Sequence, residues 1–135
     1  MNLFLVGTDF SEEAVKAQGQ AAVLAQATGS KLHLLHVLEP VDEPDSDDPE
    51  TQEFYRKLEA SSLQKLERAA HSVSGLVVEY SVEIGHRHPT VLDVAGKLGA
   101  DMVVLGSRPM EPDNQRLGTS HRVALTSHIP VLLVP

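Results

Sequence analysis

Short apolar runs, each closed by small or polar residues and separated by stretches of helical periodicity, leave this chain few folds to choose from. Leu3-Phe4-Leu5-Val6 runs into Gly7-Thr8-Asp9, Met102-Val103-Val104-Leu105 runs into Gly106-Ser107, and Val131-Leu132-Leu133-Val134 is apolar throughout. A strand that is apolar on both faces has no side to give to water. It belongs in a sheet covered by helices above and below, which in practice means a parallel sheet with helical crossovers.

On that basis the strands are Asn2–Thr8, Leu32–Leu38, Val78–Ile84, Asp101–Leu105 and Val131–Val134. The third differs from the rest. Val78, Tyr80, Val82 and Ile84 alternate with Glu79, Ser81 and Glu83, the pattern of a half-exposed strand at a sheet edge. The segments between strands supply the crossovers. Ser11 is a good N-cap, Glu12 and Glu13 complement the helix dipole, and Ala14, Ala17, Ala21, Leu24 and Thr28 recur at helical spacing until Gly29. Phe54, Leu58, Leu66, Ala70 and Val73 form the stripe of a second helix. Gly85 to His88 reads as a turn, with Pro89 at the first position of a third helix, whose stripe is Val91, Leu92, Val94, Ala95 and Leu98. A fourth helix is expected from Thr119 to His128.

The resulting order β-α-β-α-β-α-β-α-β describes an α/β doubly wound domain. At 135 residues it is expected to be one domain, 1–135, with its own core. Right-handed crossovers and a reversal of winding place a crevice beyond the C-terminal ends of strands one and four. Gly7-Thr8-Asp9 and Gly106-Ser107 are the residues at those ends, and Gly118-Thr119-Ser120 opens the helix that follows. Strand, glycine turn and helix N-terminus together aim N–H groups at an anion.

Charge excludes some functions. Glu39, Asp42, Glu43, Asp45, Asp47, Asp48, Glu50 and Glu53 lie together without a base, and account for the whole formal charge of −8. This segment, with its prolines, is expected to be a solvated connection. No basic face is evident and aromatics are 4%, so a nucleic-acid partner is not expected. No apolar run is long enough for a membrane span, and Leu3–Val6 is too short for a signal peptide. With no cysteine, a cytoplasmic protein is the default. His86 and His88 have a metal-like spacing but no evident third ligand, and His33 and His36 point to opposite faces of strand two. There is no Gly-x-Ser-x-Gly elbow, Walker loop or His-Glu-x-x-His, so an enzyme is not expected.

The residues Phe4 to Glu12 (FLVGTDFSE), Leu35-His36-Val37, Gly99 to Arg108 (GADMVVLGSR) and Pro130 to Pro135 (PVLLVP) together resemble the universal stress protein family, in order and over the whole chain. The resemblance implies a five-stranded parallel sheet in the order 3-2-1-4-5 and a cytoplasmic stress-response role. It also implies a homodimer formed through the last strand, here Val131–Val134. Many members bind ATP or a related adenine nucleotide, and another branch does not. Carried over to this sequence, Thr8 and Asp9 would meet the ribose and base, and Val37 would line the adenine pocket. Gly106, Arg108, Gly118, Thr119 and Ser120 would surround the phosphates, with Gly7 and Leu105 completing the site. Magnesium is expected only with bound nucleotide.

One departure bears on the ligand. Binding members carry Gly, two residues, Gly, nine residues, Gly, then Ser or Thr. Here the middle glycine is Pro109, and only eight residues separate it from Gly118. Proline has no N–H to donate and cannot take positive φ. Glu111 and Asp113 add negative charge, which Arg108 and Arg116 can offset. The expectation is an adenine-nucleotide site (ATP, ADP or AMP) with a weakened phosphate end. The alternative is a nucleotide-independent dimer acting through protein–protein contacts.

Overall fold

A computed structural model of the chain describes residues 1–40, 47–109 and 117–135. Its elements are β1 (Leu3–Gly7), α1 (Glu12–Thr28), β2 (Lys31–Leu38), α2 (Pro49–His71), β3 (Val78–Ile84), α3 (Arg87–Leu98), β4 (Met102–Gly106), α4 (Thr119–Thr126) and β5 (Val131–Val134). The strands form one parallel sheet in the order β3-β2-β1-β4-β5, as expected.

Alternation along the strands sorts the core into two layers. Phe4, Val6, Leu32, Leu34 and Val104 face α1 and α2, where they meet Ala17, Ala21, Ala25 and Leu66. Leu5, Leu35, Val37, Val103 and Leu105 face the other way, against Val91, Val94, Ala95 and Val123 of α3 and α4. The alanine face of α1 lets that helix lie close to the sheet. Ser11 caps it by accepting from the Ala14 N–H at 3.2 Å, and Gly29 ends it in the left-handed conformation at φ 67°.

The structure moves several expected boundaries and faces. In α1 the fourth buried position is Ala25, and Leu24 lies at the exposed flank. In α2 the inward residues are Tyr55, Ser62 and Leu66, while Phe54 is exposed. Leu66 and Tyr55 are 11 positions apart, which at 3.6 residues per turn leaves them about 20° apart around the axis. Phe54 falls about 120° away. The acidic connection is shorter than its sequence suggests, because Asp48 caps α2 and Pro49 and Glu50 lie in its first turn. Asp42, Glu43 and Asp45 lie outside the described residues.

α3 starts two residues earlier than expected, with His86 as N-cap and Arg87 first in the helix. Pro89 is therefore the third helical residue, where its missing N–H still costs no helical hydrogen bond. α4 stops at Thr126, because Ser127, whose N–H makes the last helical bond to the Val123 carbonyl at 2.9 Å, turns to the extended conformation at ψ 144°. Asp101 lies just before β4, and its carboxylate accepts from the N–H groups of Asn2 (2.6 Å) and Leu3 (3.0 Å). Among the described residues, no helix is long and apolar enough to cross a membrane.

Candidate functional site

β1 pairs with β2 on one side and β4 on the other, so the winding reverses between β1 and β4. Just beyond their ends lies a cleft of about 580 Å³. This falls in the range of small-molecule sites. All ten residues expected from the sequence line it: Gly7, Thr8, Asp9, Val37, Leu105, Gly106, Arg108, Gly118, Thr119 and Ser120.

The β1 wall is fixed by a dense set of local bonds. Thr8 donates its N–H to the Leu35 carbonyl at 2.8 Å, its hydroxyl oxygen accepts from the Phe10 N–H at 3.0 Å, and its carbonyl lies 2.7 Å from His36 Nδ1. His36 thus ties β2 to this turn. Asp9 Oδ1 accepts from the Ser11 N–H at 3.0 Å. Phe10 takes a positive φ of 65°, which costs a residue with a Cβ about 1–2 kcal/mol. Its ring packs on His36 at 4.7 Å, with Lys65 Nζ 5.3 Å from the ring centroid. Asp9, next to this strained residue, lines the cleft. Burial alone would raise the pKa of its carboxyl. Hydrogen bonds from Ser11 and the charge of Arg87 outweigh burial and hold it below its ordinary value.

The β4 wall is set by close approach. A Cβ built on Gly106 would come within 2.5 Å of the Glu13 carbonyl carbon and 2.7 Å of the Ala14 nitrogen. Glycine is therefore required here by packing against α1, whatever else it does. Gly118, the N-cap of α4, meets nothing within 4 Å and offers no side chain to the helix's first N–H groups. Those of Thr119 and Ser120 stand beside the cleft, and no described side chain caps them. Pro109 lines the same end. Glu111, Asp113 and Arg116 lie outside the described residues.

Sequence reasoning missed four polar residues that share this cleft: Ser11, Glu13, Arg87 and His121. Glu13 Oε1 lies 3.4 Å from Arg108 Nε. Its own backbone N–H, the Ser11 hydroxyl and Arg108 hold its carboxyl below the usual value despite some desolvation. Arg87 pairs with Glu39 at 3.9 Å, and Glu39 also accepts from the Arg87 backbone N–H at 3.3 Å. A usable signal existed for both residues. In a parallel α/β sheet the helix N-termini lie at the C-terminal ends of the strands, so first-turn residues of α1 and α3 face the crevice. The cleft is also lined by the apolar Leu35, Val37, Val91 and Leu105. His88 of the histidine pair lies 2.7 Å from Thr126 Oγ1, away from these walls.

The profile of the universal stress protein family matches residues 1–135. The chain belongs to that family. A universal stress protein of Synechocystis sp., Sll1654, is 30% identical over 129 residues, covering 94% of this chain and 81% of the relative. The solved structure of the protein MJ0577 superposes with a TM-score of 0.82 at 26% identity, covering 98% of this chain and 94% of that one. A universal stress protein solved in complex with cAMP gives a TM-score of 0.78 at 22% identity, covering 99% and 97%. As in these universal stress protein structures, the sheet is five-stranded and parallel. The stress-response fold, and the winding reversal that opens the cleft, thus belong to the family.

Proposed function

We propose that this chain is a stress-response module that binds an adenine nucleotide in the cleft between β1 and β4, and that it acts by binding rather than by turnover. The observation that carries the reading is the convergence of two opposite chemistries in one space. Leu35, Val37 and Val91 offer an apolar surface for a base, and the α4 N-terminus offers N–H groups to a phosphate. Asp9 stands at the β1 wall, and the family resemblance gives it the ribose. The relative solved with cAMP is distant, so it supports the reading as family behaviour and the cleft supports it for this sequence. Magnesium enters only with a polyphosphate. A cytoplasmic location is carried over from the family as part of the proposal.

The chemistry of Asp9 supports binding without catalysis. Hydrogen bonds from Ser11 hold its carboxylate ionised and weakly basic, a poor match for a general base near neutral pH. Calorimetry with AMP, ADP and ATP on nucleotide-free protein tests the reading, with saturable binding expected. No heat and no thermal shift at millimolar ligand would overturn it.

The alternative, a nucleotide-independent dimeric scaffold, is favoured by Pro109 and by the engagement of Arg108 with Glu13. Nucleotide released from purified protein on denaturation would count against it.

A further inference from the structure

We propose that Glu13 is a specificity-determining residue that limits how many phosphates the cleft accepts, favouring a nucleoside monophosphate over a triphosphate. This rests on the nucleotide reading of the cleft and names the ligand class within it.

Among the described residues, the two arginines that line the cleft are both engaged by carboxylates. Arg108 meets Glu13 at 3.4 Å, and Arg87 meets Glu39 at 3.9 Å. In the first pair the carboxylate is the fixed partner. The Glu13 side chain is 27% exposed and that of Arg108 81%, so the guanidinium comes to the acid rather than the reverse. The Glu13 backbone is itself wedged against Gly106, whose Cβ position lies 2.7 Å from the Glu13 carbonyl oxygen. A negative charge is thereby anchored at the turn where the phosphate end of the ligand enters.

Formal charges on the described lining residues cancel: Asp9 and Glu13 against Arg87 and Arg108, with His121 neutral. One phosphate can use the N–H groups at the start of α4 and share Arg108 with Glu13. Each further phosphate adds a negative charge beside the Glu13 carboxylate, and among the described lining residues no further cation meets it. Like charges that share one cleft repel appreciably in the intermediate dielectric near a protein surface.

The test measures dissociation constants for AMP and ATP, without divalent cation, on the intact chain and on Glu13→Gln, Glu13→Asp and Arg108→Gln. In Glu13→Gln the preference for AMP over ATP is expected to fall by about tenfold. Glu13→Asp, which keeps the charge, is expected to retain the preference, and Arg108→Gln to weaken both ligands. A residue that only stabilises the start of α1 would change the melting temperature and shift both constants equally. If AMP binds the intact chain but the preference in Glu13→Gln stays within about twofold, the role of Glu13 is overturned and the nucleotide reading stands. If neither nucleotide binds the intact chain, both fall together.

Discussion

At the scale of the residue, two glycines alike in sequence differ in what they do. Gly106 is packed against the backbone of α1, so no side-chain rotation relieves a Cβ there. Gly106→Ala is expected to destabilise the fold by about 1–3 kcal/mol, the ordinary cost of overpacking, as read from urea midpoints. Gly118→Ala meets open space at φ −75° and is expected to cost at most about 1 kcal/mol, through the poorer N-cap. Equal losses would show that the α1 contact does not govern Gly106. Asp9 has the complementary role, since its carboxylate is held by Ser11 but carries little of the core. Asp9→Asn is expected to weaken AMP binding by about tenfold, the value of one hydrogen bond to a charged group, with the melting temperature nearly unchanged. A loss of stability with affinity retained would assign Asp9 to helix capping alone.

At the scale of the element, charges that join strands carry the pH dependence. Asp101 clasps the start of β1, and those two backbone hydrogen bonds, aided by the N-terminal ammonium, hold its pKa below the ordinary 3.8. A depressed carboxyl stabilises above its unfolded pKa and loses that contribution as pH falls through its folded value. Asp101→Asn is therefore expected to lower the melting temperature at neutral pH and to converge on the parent in strong acid. His33 adds a second limb. It is buried on β2, with Nε2 2.7 Å from Ser81 Oγ and Nδ1 without a hydrogen bond; burial lowers its pKa from 6.5, partly countered by Glu79. The unfolded chain then binds the proton first, so stability is complete above 6.5 and declines as pH falls below it. Thermal melts across this range are expected to show that decline in the parent and not in His33→Gln. A flat profile would place the proton on His33 elsewhere.

These contacts mark the limit of what was legible in the sequence. Uniform apolar runs forced a buried parallel sheet, and a reversal of winding put Gly7-Thr8-Asp9 and Gly106-Ser107 at one crevice, whereas the strand order, Val37 and Arg108 came only from the family resemblance. What periodicity could not give was phase and partner. The stripe expected for α2 from spacing begins at Phe54. The frame set by Leu66 selects Tyr55 instead. Glu13 and Arg87 were missed as cleft residues because each is an ordinary charge at a helix start, and its meaning comes from a partner remote in sequence, Arg108 or Glu39.

At the scale of the whole molecule, β5 leaves one question of assembly, and we propose a homodimer formed across it. The Val103 N–H donates to the Pro130 carbonyl and the Ser107 N–H to the Val134 carbonyl. Residues 130, 132 and 134 therefore turn their backbone groups toward β4, and in a regular strand Val131 and Leu133 turn theirs outward. An outer row of N–H and C=O groups, with side chains only partly buried, is a template for pairing with another strand. A second copy related by a two-fold axis satisfies that row with its own β5 and closes the assembly. Light scattering at micromolar concentration is expected to give twice the chain mass. Leu133→Pro removes an outward donor without touching the ladder to β4, and is expected to leave a folded monomer. Leu133→Ala keeps the donor and is expected to remain dimeric. A monomeric parent would overturn the proposal. If Leu133→Ala dissociated as fully as the proline variant, packing of the side chain rather than the strand edge would be what holds two copies together.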